Sequence, residues 1–183
     1  MPKRNVKRMC YAALLAAMYL PLSLYAAVQV GNVRISFGSL PVVAAALLFG
    51  PVDAVIVAMV GEFFKQLLTY GVTYTTVLYL IPPALRGLVV GLGALALLSL
   101  RGQRLEERRM LCYAVCIVAA VCTTLGNTLV NWLDSVLMGD YFPGLILGDF
   151  VWRLIVGMIN AVVMSSLAIP LVKALRQRNV VSL

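Results

Sequence analysis

The chain has 183 residues, 62% hydrophobic and only 12% charged, with a net charge of +8 and no histidine. Soluble domains run nearer roughly 45–50% apolar and 25% charged, and no soluble core of this length could bury so much apolar surface, so the natural solvent is a bilayer. The positive charge does not point to nucleic acid, because its clusters flank separate apolar runs instead of sharing one face.

Lys3, Arg4, Lys7 and Arg8 precede the first apolar segment, about 9–28. Residues 29–38 form a polar connection with extended character at Val33 to Phe37. The next apolar stretch, 39–69, is too long for one span and is punctuated by Gly50-Pro51, which predicts a short helix at 40–49 and a second at 52–69. Ten residues reach only about 15 Å, half a bilayer, so the short helix needs protein neighbours or a thinned membrane. A fourth segment covers 75–99, where Pro82-Pro83 predict a bend.

The loop that follows carries Arg101, Arg104, Arg108 and Arg109. Segments at 110–138 and 147–175 complete the set, and Lys173, Arg176 and Arg178 close the last one. Basic clusters at alternate ends of the runs are the positive-inside pattern. They predict an all-α integral membrane protein: one compact domain over 1–183, six transmembrane helices, both termini cytoplasmic. Cys10, Cys112, Cys116 and Cys122 form no CxxC pair and read as packing or lipid-facing residues, with no zinc site or disulfide framework.

An ionisable group in hydrocarbon costs at least about 2.5–3.5 kcal/mol, so it persists where it is paired or lines a wet cavity. Asn127, Asn131 and Asp134 follow i, i+4, i+7 along one helical stripe, and Asp149, Arg153 and Asn160 follow i, i+4, i+11 along another. Glu62 and Lys65 are three apart and can pair, and Arg86 lies within the fourth segment. All fall in the middle or outer half of their segments, which predicts a pocket opening outward for a polar solute. Interhelical polar glue is the plainer alternative for any one of them.

Above that level, Arg34, Phe37, Tyr70, Tyr74, Tyr141 and Phe142 occupy the outer loops, and Trp132 and Trp152 adjoin the two stripes. Aromatic rings can stack on a planar ligand, although an interfacial belt has the same composition. Ala12, Ala13, Ala16 and Ala17 make two overlapping small-xxx-small pairs that let another helix approach closely. No nucleotide-binding Gly-x-x-x-x-Gly-Lys-Ser/Thr loop is present, so ATP hydrolysis would belong to another subunit.

The run V-R-I-S-F-G-S-L-P…A-L-L-F-G-P from Val33 to Pro51, the triplet Asn127-Thr128-Leu129 and the pair Arg153-Leu154 resemble the substrate-capture (S) component of energy-coupling-factor (ECF) vitamin transporters, the folate-type branch most of all. The chain departs from that pattern at Ala46, at Glu62-Phe63-Phe64-Lys65 and in the position of Tyr141 to Gly144. The resemblance implies a multi-pass protein of a prokaryotic plasma membrane that captures a water-soluble vitamin, folate-like in the first instance. It implies docking through Ala12, Ala13, Ala16 and Ala17 onto a transmembrane coupling subunit served by two ATPase subunits. No cofactor, metal or nucleic acid is expected.

Candidate ligand contacts are Arg34, Phe37, Glu62, Lys65, Tyr74, Arg86, Asn127, Asn131, Trp132, Tyr141, Asp149, Trp152 and Arg153. A stand-alone transporter driven by an ion gradient, with Glu62 or Asp149 as proton carrier, is the rival reading. An enzyme is disfavoured, because no histidine, H-E-x-x-H motif or nucleophile elbow is present.

Overall fold

The structure, a computed structural model, describes residues 6–30, 33–73, 75–139 and 143–177, with side chains throughout these ranges except at 28–30, 33–35, 138, 143–147 and 149. Helix α1 spans Val6–Leu24 and carries Pro21 in its last turn. It stops four residues before the expected end at Val28, because Ala27–Val30 (β1) pairs antiparallel with Val33–Ser36 (β2). Among the described residues the fold is therefore all-helical apart from this one hairpin.

Helix α2, Ser39–Phe49, is followed at once by α3, Pro51–Tyr70. Gly50 between them has φ +90°, a left-handed value that glycine reaches without penalty, and Pro51 starts α3 where a missing amide has no intrahelical partner. A 3₁₀ turn at Leu78–Leu80 leads into α4, Ile81–Arg101. The expected proline bend is corrected here: Pro82 and Pro83 sit in the first turn of α4, where they break no hydrogen bond, and the helix begins at them. A second 3₁₀ turn, Leu105–Glu107, precedes α5, Arg109–Met138, and α6 runs from Pro143 to Gln177. Among the described residues three helices have the length and apolarity to cross a bilayer: Leu78–Arg101, Arg109–Leu137 and Phe150–Gln177.

Helix α2 lies at the centre. All its residues but Leu40 are buried, and Val43 to Phe49 form one cluster with Leu15 and Ala16 of α1, Ala54 and Val57 of α3, Val90 of α4, Cys112 and Cys116 of α5, and Ala168 and Val172 of α6. Around it, α4 approaches α3 at Gly87 and Gly91; a Cβ on either would meet the backbone of Ala54 or Pro51. Outward-facing Leu, Ile, Val, Met and Phe side chains cover the flanks of α3 to α6, as lipid-facing surfaces require.

The two ends of the bundle differ. Arg8 donates to the carboxylate of Asp53 and to the carbonyl of Phe49, and Arg176 donates to Leu47 O at 2.7 Å and lies 2.8 Å from Glu106. These contacts gather the α1 start, the α2–α3 junction, the loop after α4 and the α6 end at one pole. The other pole carries the hairpin, the α3–α4 connection and the end of α5.

Candidate functional site

At that second pole lies a cavity of about 640 Å³. Ligand clefts typically occupy about 300–1,000 Å³, so a vitamin-sized molecule fits. Each helix from α3 to α6 contributes a polar side chain to it, with Tyr19 added from α1 and Ser36 from β2.

The wall on α3 is organised by Glu62. Glu62 is 5% exposed, and its carboxylate accepts three hydrogen bonds: from the Tyr19 hydroxyl at 2.5 Å, Lys65 Nζ at 2.7 Å and Gln66 Nε2 at 2.9 Å. Lys65 and Gln66 lie three and four residues on, where one helical face brings them back over Glu62. The tyrosine ring reaches across because residue 61 is glycine; a Cβ there would lie 2.5 Å from the ring. A buried carboxylate so surrounded is fully compensated and keeps its place without a ligand.

The opposite wall is built on Asp134. Its Oδ2 accepts the Tyr79 hydroxyl at 2.8 Å, and the same hydroxyl lies 3.3 Å from Asn131 Oδ1. Asp134 Oδ1 is buried and has no hydrogen-bond partner among the described residues, and the same holds for Asn160 Oδ1 on α6. Arg86 closes the floor, with no hydrogen bond and no ion pair within 4 Å among the described residues. A water-sized recess of about 10 Å³ continues below Arg86 and Asn160 to Ser39, whose Oγ also lacks a partner. Unsatisfied buried polar atoms cost about 1–3 kcal/mol each, and several facing one hollow are the mark of a site completed by something polar.

Glu62, Lys65, Arg86 and Asn127 line the cavity among the expected ligand contacts, and Asn131 touches it through Tyr79. Asp134 and Asn160, the remaining polar members of the two stripes, line it as well. Trp132 and Trp152 do not: both are exposed on the outer flank, at 41% and 44%. On the helical wheel Trp132 lies about 140° from the cavity-lining Asn127. Phe37 is half-buried outside the cavity wall, and Arg153 is half-buried on α6 without lining it. Tyr74, Tyr141 and Phe142, and the side chains of Arg34 and Asp149, lie outside the described residues.

The alanine stripe divides. Ala13 and Ala17 are exposed, whereas Ala16 belongs to the core beside α2 and Ala12 packs against it. Ala16 is therefore not available on the surface of α1, where Ala13 and Ala17 are.

Sequence reasoning missed Tyr19, Gln66, Tyr79 and Thr123, which all line the cavity. Gln66 had a usable signal, its i+4 spacing from Glu62. The tyrosines had none, because in an apolar run an inward and a lipid-facing aromatic look alike.

A family model described as ECF-type riboflavin transporter, S component, matches residues 3–177. A solved structure of the S component of a bacterial ECF transporter superposes with a TM-score of 0.65, covering 95% of this chain and 98% of that one at 20% identity, a likeness of fold. No curated protein matches the sequence.

Proposed function

The chain belongs to the family of ECF-type riboflavin transporter S components, and from that footing we propose that it captures a flavin-like vitamin from outside the cell. It is a membrane transport component, not an enzyme. In this reading it crosses a prokaryotic plasma membrane six times, with the Arg8 and Arg176 pole in the cytoplasm, and hands its cargo to a transmembrane coupling subunit driven by two ATPase subunits. The positive clusters at that pole support the orientation.

The observation that carries the ligand class is the charge balance of the cavity. Its described charged side chains are Glu62, Asp134, Lys65 and Arg86, two of each sign. Glu62 and Lys65 already satisfy each other. What remains is one cation on the floor and orphaned acceptors on Asp134 and Asn160. A neutral molecule with a carbonyl-bearing planar ring and several hydroxyl donors complements that set, and riboflavin has this chemistry. Folate, the first choice from sequence, would bring two glutamate carboxylates to a cavity with a single uncommitted cation.

The test is titration of the purified chain with riboflavin and with folate, followed by flavin fluorescence or calorimetry. Riboflavin should bind at nanomolar concentrations. Arg86→Gln should weaken it by about 10- to 100-fold, the loss of a hydrogen bond to a charged group. Trp132→Phe and Trp152→Phe should change it less than twofold. Tight folate binding without riboflavin binding, or binding of neither, refutes the assignment. Uptake by the chain alone in ATPase-free vesicles, collapsing with the proton gradient, would favour the ion-driven rival.

A further inference from the structure

A second hollow, of about 210 Å³, lies at the opposite pole and shares no residue with the vitamin cavity. It opens between the C-terminal ends of α2, α4 and α6, above the turn at Leu105–Glu107. Its walls are mostly apolar, with Ala46, Leu47, Leu98 and Leu105 among them, and its charged lining residues are Arg104, Arg176 and Glu106. Leu98 is 44% exposed on the outer flank of α4, so the crevice opens sideways to hydrocarbon. Arg104 is exposed at the rim. Arg176 is largely buried: one nitrogen donates to Leu47 O, Nε faces Glu106, and Nη1 has no acceptor among the described residues.

We propose that this crevice is a binding site for an anionic phospholipid, with an acyl segment against the leucines and the headgroup phosphate at Arg104 and Arg176. A soluble anion would have no use for the apolar walls, and a purely apolar occupant would leave the Arg176 donor unanswered. The connection 101–109 carries four arginines against Glu106 and Glu107, an excess of positive charge where the headgroups of the inner leaflet lie. A zwitterionic lipid would bring its own cation into that field. Basic hollows between helices at this face are a recurring form of lipid recognition.

The test uses the full chain in neutral detergent. Intact-mass measurement should find one phosphatidylglycerol retained per chain, and thermal melts should rise on titration with phosphatidylglycerol but not with phosphatidylcholine or inorganic phosphate. Arg104→Glu removes one positive charge and adds a negative one, so the phosphatidylglycerol affinity should fall on the order of tenfold or more. Riboflavin binding by that variant should be unchanged, which shows that it has folded. Leu98→Trp, which crowds the wall, should lower the retained lipid with the rim charges intact. Equal stabilisation by both lipids, an equal effect of phosphate alone, or an unaltered affinity in Arg104→Glu overturns the proposal.

Discussion

Gly91→Ala separates close packing from helix propensity, because the two effects have opposite signs. In an isolated helix the change stabilises by about 1 kcal/mol, since glycine loses more backbone freedom on ordering. Here the added Cβ would lie 2.4 Å from Pro51 Cα and 2.6 Å from Pro51 N. Ordinary contact begins near 3.4 Å, so the shortfall is 3.4 − 2.4 = 1.0 Å against backbone that has no rotamer to change. Either α3 and α4 separate by about that distance or one of them bends, an overpacking cost near the upper end of about 1–3 kcal/mol. The net expectation is a loss of about 2 kcal/mol, or roughly 4–8 °C of melting temperature for a chain of this size. Gly93→Ala is the matched control. Its Cβ would meet only the Val115 side chain, with Cγ1 at 2.6 Å, and valine can answer by rotating at about 0.5–1.5 kcal/mol, which roughly cancels the propensity gain. Thermal melts of both variants in one detergent decide the matter. Gly91→Ala as stable as the parent, or Gly93→Ala equally damaged, would refute the claim that α3 and α4 touch through backbone at this point.

Tyr19→Phe removes one of three donors from the buried Glu62 carboxylate while keeping the ring over Gly61, so it should lower stability by about 1–3 kcal/mol in the same melts. An unchanged melting temperature would mean that Lys65 and Gln66 satisfy Glu62 unaided. Ala17→Trp, on the exposed edge of α1, should leave folding and riboflavin binding intact and block ATP-driven uptake with the coupling subunits, whereas Ala16→Trp should fail at folding because Ala16 is 7% exposed within the core. Normal uptake by Ala17→Trp would remove that edge from the docking surface.

These residues also show what could be read without coordinates. The helix break at residue 50 was legible because Gly50-Pro51 combines a residue that tolerates positive φ with one suited to starting a helix. Pro82-Pro83 were visible but ambiguous, since the same pair bends a helix when internal and opens one when terminal, and only the position of Ile81 distinguishes the cases. The polar stripes were legible because charge in hydrocarbon is costly, and Asn127, Asp134 and Asn160 do face one cavity. Which alanines of α1 face inward was not, because Ala12, Ala13, Ala16 and Ala17 spread over about 140° of the circumference and carry no polarity to orient them. The Gly87-x-x-x-Gly91 approach lay in plain view as a small-xxx-small spacing, and was overshadowed by the more conspicuous alanines.

Two of the arginines have a structural role at the end of α2. Helix α2 is 11 residues long, about 16 Å, and its carboxyl end is buried at the Arg8 and Arg176 pole. Four carbonyls at a helix end have no intrahelical donor, and at a buried end water cannot supply one. Of the four here, Ala46 O is taken by Gly50 N, Leu47 O by Arg176 and Phe49 O by Arg8. Both arginines also complement the negative end of the helix dipole. They come from α1 and α6 and converge on the same turn, so the first and last helices are tied to the central helix whose other end, at Ser39, reaches the recess beneath Arg86. A short buried helix therefore depends on cations at its inner end as much as on apolar neighbours along its length. Arg8 and Arg176 supply the donors that let α2 end where it does.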